Sequence, residues 1–336
     1  MKNVTDDIGI VVIGRNEGER LKRCLQSVFS ETNGIGQIVY VDSGSSDGSV
    51  EYAESQGVNV VGLDMRIPFS AGRARNEGFL FLNKISEDLK YIQFIDGDCE
   101  IRAGWLSFAY SYLESNETCA VVAGRRKEKF PENSIYNKLC DIEWDTPIGK
   151  AEACGGDFMI RKEAFQQVNG FNPVVLASEE PEMCYRLRKK NWTIFRLDHP
   201  MTLHDAAILR FSQWWKRNLR MGHAGAHIFF LGVSAYGGKS YFIKGITRSW
   251  FWAFIFPVSV LMIALFINIA FLLLYTAYLV QLVRIAINVY KRIPDIKLSF
   301  ICSLFTIIGK CPQVIGQMLF LKRKLLGKTF ANIEYS

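Results

Sequence analysis

The chain of 336 residues is long enough for one large domain or two ordinary ones, and its hydrophobic content of 49% exceeds that of a typical soluble enzyme. The net charge of +7 is moderate, and much of it lies between Arg210 and Lys328, around an apolar C-terminal region. This distribution suits an anionic membrane face, and the absence of a basic stripe interleaved with aromatic residues argues against a nucleic-acid partner.

The beginning of the chain predicts a cytosolic location. Residues 1–7 are polar and acidic, and the apolar run at residues 8–13 is too short for the core of a secretory signal. The 8 cysteines contain no C-x-x-C pair and no histidine at zinc spacing. We therefore expect reduced and mostly buried thiols.

Apolar runs and helical patterns alternate along the first half of the chain. Short apolar runs predict buried strands at residues 8–13, 37–42, 58–61, 91–95, 120–123 and 193–197, with a further strand reached by a turn within 151–161. Helices are predicted at residues 21–28, 47–57, 70–83 and 179–190. This alternation predicts an α/β fold, a sheet of parallel strands with helices on both faces. Ligands of such sheets bind at the carboxyl ends of the strands, so Asp42 and Asp96 should point into one crevice.

The C-terminal region predicts membrane helices. Residues 250–283 are 34 positions without a charge, or about 50 Å of helix against a hydrocarbon core of about 30 Å. Two short spans with a turn near Asn268 fit better than one straight helix. Basic residues flank both ends of this run, which favours a hairpin with both ends in the cytosol. Residues 298–321 are apolar but are interrupted by Lys310 and Pro312, so we expect an interfacial or re-entrant helix there, with a third span as the alternative.

Two carboxylates follow the strand predicted at residues 91–95. Asp96 and Asp98 flank Gly97, and two acids one residue apart at a strand end can share a divalent cation. Mg²⁺ and Mn²⁺ prefer oxygen ligands and bind nucleotide phosphates at the same time. A polar turn leaving the strand is the alternative interpretation.

A second acidic loop follows the strand predicted at residues 37–42. It reads DSGSSDG at residues 42–48, and the Asp42 carboxylate could accept hydrogen bonds from a base or a ribose. Its glycines would allow the backbone to approach a ligand closely. A flexible surface turn before a helix is the alternative.

Two further groups suit acid–base or metal chemistry. Glu180 begins a predicted helix and could act as a general base, although acids at a helix start also match the helix dipole. His204 is either a structural histidine or a third metal ligand.

Taken in order, these segments resemble the family 2 glycosyltransferases of the GT-A fold group over roughly residues 8–225. The matching segments are IVVIGRNEGERL (10–21), VDSGSSDGS (41–49), AGRARNEG (71–78), FIDGDC (94–99), CGGDFMIRKEAF (154–165) and the Glu179–Glu180 pair. Two positions depart from the pattern. Ser43 stands where a second aspartate is frequent, and Glu180 stands where aspartate is usual, which lengthens the reach of the base by one methylene.

The resemblance implies inverting, metal-dependent transfer from a nucleotide-diphosphate sugar. It makes Glu180 the base and assigns Mg²⁺ or Mn²⁺ to Asp98, His204 and Asp96. The residues that it implies for donor binding are Arg15, Asn16, Glu17, Asp42, Ser43, Arg73, Asn76, Asp96 and Gly97. The resemblance and the apolar tail together predict a lipid-linked or glycan acceptor at an inner or plasma membrane, with the catalytic domain in the cytosol.

The alternatives are transfer to polyprenyl phosphate, a processive polysaccharide synthase, and a non-catalytic domain that binds nucleotide or a partner. The segment QWWKRN at 213–218 only partly resembles the Q-x-x-R-W pattern of processive synthases, because Arg217 is displaced by one residue and no Trp follows it. We interpret it as an amphipathic interface helix, with acceptor-pyrophosphate binding as the alternative. The predicted divisions are a GT-A catalytic domain at 1–208, the interface helix and a linker at 209–249, a transmembrane hairpin at 250–284 and an interfacial tail at 285–336.

Overall fold

The computed structural model describes residues 4–32, 37–231 and 239–327. Within these residues the chain forms two compact units, of which the first ends at Leu209 and the second begins at Arg210. Part of the predicted linker (232–238) and the end of the predicted tail (328–336) lie outside the described residues.

The first unit is a mixed sheet covered by helices, which confirms the predicted α/β class. Its strands are β1 (Ile8–Gly14), β2 (Gln37–Asp42), β3 (Asn59–Gly62), β4 (Tyr91–Asp96), β5 (Cys99–Ile101), β6 (Cys119–Glu128), β7 (Gly149–Ala151), β8 (Phe158–Arg161) and β9 (Thr193–His204). Its helices are a 3-10 turn (Val4–Asp7), α1 (Glu19–Thr32), α2 (Ser49–Ser55), α3 (Ala71–Ile85), α4 (Trp105–Ser115), α5 (Ile135–Trp144), α6 (Lys162–Gln167) and α7 (Glu179–Lys189).

The strand order places the ends of β1, β2 and β4 side by side. The sheet runs β3-β2-β1-β4-β8-β6-β9-β5, and β7 pairs with β9. Strands β1 to β4 are parallel, β8 is antiparallel to β4, and β6 and β9 are parallel to each other. Parallel strands buried on both faces require continuous apolar sequence, and Ile10, Val11 and Val12 of β1 are fully buried.

Strand β9 is longer than the sequence predicted. The prediction ended the strand at Leu197, whereas β9 continues through Pro200 to His204. Register shifts around Arg125 of β6 accommodate the irregular stretch, and Arg125 pairs with Pro200 there. The continued strand brings His204 opposite Cys99 of β5.

All eight cysteines are free thiols, and six of them are buried, as the sequence predicted. Cys154 is half-buried and Cys311 is exposed. The predicted reduced state therefore agrees with the fold.

The second unit consists of helices. They are α8 (Phe211–Phe230), α9 (Lys239–Trp250), a π-helical turn (Phe251–Ile255), α10 (Phe256–Phe266), a 3-10 segment (Ile269–Tyr275), α11 (Thr276–Tyr290), α12 (Ile296–Ile308) and α13 (Lys310–Leu325). Among the described residues, three stretches are long and apolar enough to cross a membrane, namely Ile243–Phe266, Ile269–Tyr290 and Ile296–Leu325.

The break between the first two apolar helices lies where the sequence predicted it. Helix α10 ends at Phe266, and the Asn268 side chain accepts a hydrogen bond from the Ala270 N–H across 2.8 Å. The helix expected at 298–321 is present, as α12 and α13 with a single break at Gly309. Pro312 lies in the first turn of α13, where its missing N–H costs no helical hydrogen bond.

Candidate active site

The site lies at the carboxyl ends of β1, β2 and β4. In the sheet register Gly14 pairs with Asp42 and Ile13 pairs with Asp96, so the two acids flank the end of β1 on opposite sides. The Gly97 N–H donates to the Ile13 carbonyl oxygen across 2.7 Å and holds the turn after β4 against β1. The predicted common crevice for Asp42 and Asp96 is therefore consistent with the sheet.

The Asp42 carboxylate organises the loop that follows β2. It accepts the N–H groups of Gly44 and Ser45 across 2.8 and 2.9 Å and the hydroxyl of Tyr40 across 3.0 Å. Gly44 has a positive φ of 84°, a conformation that glycine adopts without strain. Ser43 is buried, and its N–H donates to the Gly14 carbonyl oxygen. The loop is thus an ordered turn built on Asp42.

Asn16 ties this loop to the end of β1. Its N–H donates to the Ser45 hydroxyl, and its side-chain oxygen accepts the Ser46 N–H, both across 2.8 Å. Asn16 has a φ of 56°, in the left-handed region that asparagine tolerates better than most residues. An asparagine at this position therefore supplies both the turn and the hydrogen bonds.

Asp98 and His204 form a pair that suits a divalent cation. Nε2 of His204 lies 2.9 Å from Oδ2 of Asp98, and the two side chains are 15% and 22% exposed. Nδ1 of His204 is buried and has no hydrogen-bond partner within the described residues, and Cys99 lies within ligand range of both groups. Burial raises the pKa of the Cys99 thiol well above its ordinary value, which disfavours the thiolate form. The remaining oxygen and nitrogen donors fit Mn²⁺ or Mg²⁺ better than a thiolate metal.

The Asp98 carboxyl is held in its charged form. Burial acts to raise its pKa, but the neighbouring His204 and Arg20 outweigh burial and hold the pKa at about 2. A charged carboxylate at neutral pH is the form that a cation requires as a ligand.

Arg75 joins three carboxylates from different elements. Its side chain is 2% exposed, Nη2 donates to Asp96 across 2.8 Å, and Nη1 donates to Glu179 and Glu180 across 3.1 and 3.0 Å. Helices α3 and α7 are thereby fixed to the end of β4. Glu180, the predicted base, faces this site with its side chain 15% exposed.

Glu179 differs from Glu180 in its surroundings. Its side chain is 7% exposed, and burial, together with the neighbouring Glu180, raises its pKa to about 8 against the opposing effect of Arg75. Glu179 therefore carries a proton at neutral pH for much of the time. Its protonation reduces the negative charge of the carboxylates around Arg75.

Arg126 and Asp157 brace the other side of Asp96. Asp157 is fully buried, pairs with Arg126 across 2.8 Å and accepts the Asp96 N–H and the Thr202 hydroxyl. The guanidinium of Arg126 also lies over the Trp144 ring, 5.6 Å from its centroid. Asp96 is consequently held between two guanidinium groups, with Arg126 Nη2 at 3.8 Å.

Gly156 makes this approach possible. A Cβ at this position would overlap with Oδ2 of Asp96 and would lie 2.9 Å from Nη2 of Arg75. Any side chain would displace both groups, so the glycine is required by space rather than by backbone conformation.

Glu17 completes the acidic centre. Burial, and then the charge of Asp98, raise its pKa to about 7, while Arg20 at 2.6 Å opposes the shift. Glu17 therefore lies close to the two aspartates as well as next to the loop after β1.

The remaining predicted donor-binding residues contact the protein itself. Arg15 stacks on the Phe69 ring at 4.8 Å, and Arg73 donates to the Ile67 carbonyl oxygen across 2.9 Å. The Asn76 side chain exchanges two hydrogen bonds with the Phe171 backbone. These contacts connect the three residues to the loops around the site.

The sequence interpretation assigned no individual role to four charged or aromatic members of the site, namely Arg75, Arg126, Trp144 and Asp157. The Trp144 ring packs on the His204 ring with centroids 4.5 Å apart. A signal was present for Asp157, because it follows two glycines immediately before a buried strand.

Comparison with known proteins agrees with this architecture. Residues 9–168 match the family model of glycosyl transferase family 2, and residues 141–209 match a model described as the N-terminal domain of galactosyltransferase. Glycosyltransferase AglE of Haloferax volcanii is 22% identical over 234 residues, which cover 67% of this chain and 74% of the relative.

Two solved structures share the fold. The mannosyltransferase PcManGT of Pyrobaculum calidifontis, solved with GDP-Man and Mn²⁺, superposes with a TM-score of 0.61 at 12% identity, covering 95% of this chain and 88% of that chain. Residues 1–349 of TarS from S. aureus superpose with a TM-score of 0.51 at 13% identity, covering 90% and 92%.

Proposed function

We propose that this chain, which belongs to glycosyl transferase family 2 and uses a nucleotide-sugar donor, transfers the sugar with inversion at the anomeric carbon. The transfer would use a divalent cation. The acceptor would be a lipid-linked molecule or a polysaccharide at the cytosolic face of a membrane. The observation that carries the proposal is the Asp98–His204 pair beside the carboxylates held by Arg75. The presence of GDP-Man and Mn²⁺ in the PcManGT complex supports a metal in the same role.

The chain's own groups would bind the donor in two parts. The ordered loop of Asp42, braced by Asn16, suits the nucleoside, because its backbone is fixed before the ligand arrives. Asp98 and His204 would hold the cation against the diphosphate. When bound, the cation would neutralise charge that develops on the leaving diphosphate, as a Lewis acid.

Glu180 is proposed as the general base. Its carboxylate would take the proton of the acceptor hydroxyl while the hydroxyl oxygen bonds to the anomeric carbon. The bond from that carbon to the diphosphate oxygen would break on the opposite face, and its electron pair would leave with the nucleoside diphosphate. Arg75 holds the Glu180 carboxylate in one orientation.

A membrane location would bring the catalyst to a hydrophobic acceptor. The second unit contains three helices long and apolar enough to cross a bilayer, and an acceptor with a lipid anchor stays at the same surface. Transfer to such an acceptor would need no extraction of the lipid into water.

The metal site can be tested by donor binding. Purified protein titrated with nucleoside diphosphates should bind one of them in the presence of Mn²⁺ or Mg²⁺, and Asp98→Ala should weaken that binding about 100-fold. Asp198→Asn is the matched control, because Asp198 is an exposed acid paired with Arg125 on the surface. Equal affinities of Asp98→Ala and the unaltered protein, or binding independent of metal, would refute the metal site.

The base can be tested by turnover. Glu180→Gln should lower the rate of sugar transfer by about 100-fold to 10,000-fold while leaving donor affinity in place, because the amide cannot accept the proton. Glu163→Gln, an exposed position on α6, is the control. Normal turnover of Glu180→Gln would remove Glu180 from the mechanism.

A further inference from the structure

Helices α8 and α13 form a tightly packed parallel pair. Residue numbers rise together along both helices, in the contacting pairs Asn218–Gln313, His223–Phe320 and Phe230–Lys324. Just before α13, Phe305 of α12 contacts Trp214 of α8. At Gly222 a Cβ would overlap with the Gln313 carbonyl oxygen, and at Gly316 a Cβ would overlap with the Leu219 carbonyl oxygen. With backbones this close, the two helices occupy the same depth relative to any bilayer.

Charge excludes that pair from the hydrocarbon. Helix α8 carries Lys216, Arg217 and Arg220, and the last turn of α13 carries three more basic residues. Within the described residues, α8 is not among the stretches that are long and apolar enough to cross a membrane. Since α8 lacks the composition of an apolar span, α13 packed along it does not cross either.

A second contact indicates the depth of the apolar stretch Ile296–Leu325 in the membrane. The Ser249 hydroxyl donates to Oε1 of Gln313 across 3.0 Å, and Lys310 donates to the same oxygen across 3.1 Å. Ser249 directly follows Arg248, at the beginning of the uncharged run. Lys310 lies at the middle of Ile296–Leu325. The middle residue of a crossing helix lies about 15 Å from each boundary of the hydrocarbon, whereas here it lies at the boundary of the first span.

The exposed surface of the pair suits a lipid headgroup layer. Large apolar side chains of both helices are exposed, among them Met221 (47%) and Phe230 (45%) on α8 and Ile315 (40%) and Met318 (50%) on α13. Apolar residues beside a basic rim are the composition of helices that lie in the plane of an anionic membrane surface.

We infer that α8 and α13 lie together in the headgroup layer of an anionic bilayer and that Ile296–Leu325 is not a third membrane span. The inference rests on the proposed membrane location. It leaves a hairpin of two spans next to a two-helix platform on the membrane surface. The first span is the uncharged part of Ile243–Phe266 that begins at Ser249, and the second is Ile269–Tyr290.

Depth measurements by spin labelling test this arrangement. The full chain, with Cys154 and Cys311 changed to serine, is reconstituted in nanodiscs of phosphatidylcholine and phosphatidylglycerol. Single cysteines then replace the exposed residues Ile315, Met318, Leu319 and Lys322 in turn. In an in-plane helix the label depth oscillates with the helical period and shows no net trend. In a crossing helix it changes by about 1.5 Å per residue, or roughly 10 Å from 315 to 322.

Labels in the first span are the matched control. Positions 255, 258, 262 and 266 of α9 to α10 should give depths that change steadily along the chain. The same steady change along α13 would overturn the inference. A reporter fused to the C-terminus should lie on the side of the catalytic domain, and the opposite side would overturn it as well. Neither readout depends on sugar transfer, so an inactive protein would refute the proposed function and leave this result standing.

Discussion

The Arg75 guanidinium donates to the Asp96 carboxylate across 2.8 Å, and the same buried side chain holds Glu180 across 3.0 Å. Asp96, beside the proposed donor site, and Glu180, the proposed base, are therefore oriented by one residue. The planar fork of arginine can bind several carboxylates at once, and an ammonium group cannot reproduce this geometry.

Arg75→Lys should lower turnover by about 100-fold while the protein still folds. The lysine keeps the positive charge but cannot reach Asp96 and Glu180 together, and a misplacement of about 1 Å at a reacting group has an effect of this size. Steady-state kinetics with the identified donor measure the change. Arg66→Lys, at a side chain that is 90% exposed, is the control and should remain near the unaltered rate. An unchanged kcat for Arg75→Lys would contradict the positioning role.

Gly156→Ala should destabilise the first unit by about 1–3 kcal/mol and abolish most activity. The added methyl group would overlap with Oδ2 of Asp96 and would force the Arg75 contact apart. Gly155→Ala is a close control, because the nearest atom to its Cβ is 3.8 Å away. The unfolding temperature and the turnover should therefore both be lower for Gly156→Ala than for Gly155→Ala. Equal values for the two variants would show that the loop accommodates the added methyl group.

Glu179→Gln should change how stability depends on pH. The folded-state pKa of Glu179 is raised to about 8 from an ordinary value of 4.5, so its protonated form is favoured by folding. This contribution is complete below about pH 4.5 and is lost as the pH rises towards 8. The neutral glutamine removes the buried charge, so we expect the variant to match the unaltered protein near about pH 5 and to exceed it by on the order of 2 kcal/mol near about pH 9. Thermal shift across this pH range measures the difference in stability. Parallel curves of stability against pH for the two proteins would contradict the raised pKa of Glu179.

Gly222→Ala should separate α8 from α13, since its Cβ has no space beside the Gln313 carbonyl oxygen. Gly225→Ala lies one turn further along the same helix, has nothing within 4 Å of its Cβ and should stabilise α8 by up to about 1 kcal/mol. Intrinsic tryptophan fluorescence during thermal unfolding in detergent reports the pair, because Trp214 packs on Phe305. Opposite shifts for the two variants are expected; a stabilised Gly222→Ala would show that the helices are not in close contact.

The sequence predicted the central strands because their physics is local. Strands β1, β2 and β4 are continuous apolar runs that end in polar residues, and the structure places them within one residue of the predicted bounds. The short strand β5 was missed, since three residues carry no periodic signal. It forms only where β9 lies beside it, and that pairing joins segments about a hundred residues apart.

The role of Arg75 could not be predicted from its helix. Helical spacing gives the face on which Arg75 lies, but the carboxylates that bury it come from β4 and α7. Trp214 was expected at a lipid headgroup layer for the same reason, whereas it is buried against Phe305. Gln213, compared in the sequence with a processive motif, accepts the Arg210 N–H at the start of α8. The positions of Arg75 and Trp214 are therefore set by partners that are distant in the sequence.

The pairing of β5 with β9 also has a consequence for the order of events during synthesis. Asp98 lies directly before β5, which among the described strands pairs only with β9, and His204 is the last residue of β9. A nascent chain that has emerged only to about residue 190 contains every residue of the loop around Asp42, yet it lacks both the strand that pairs beside Asp98 and the His204 imidazole. During synthesis, the residues of the proposed nucleoside loop are therefore all present well before those of the proposed metal site.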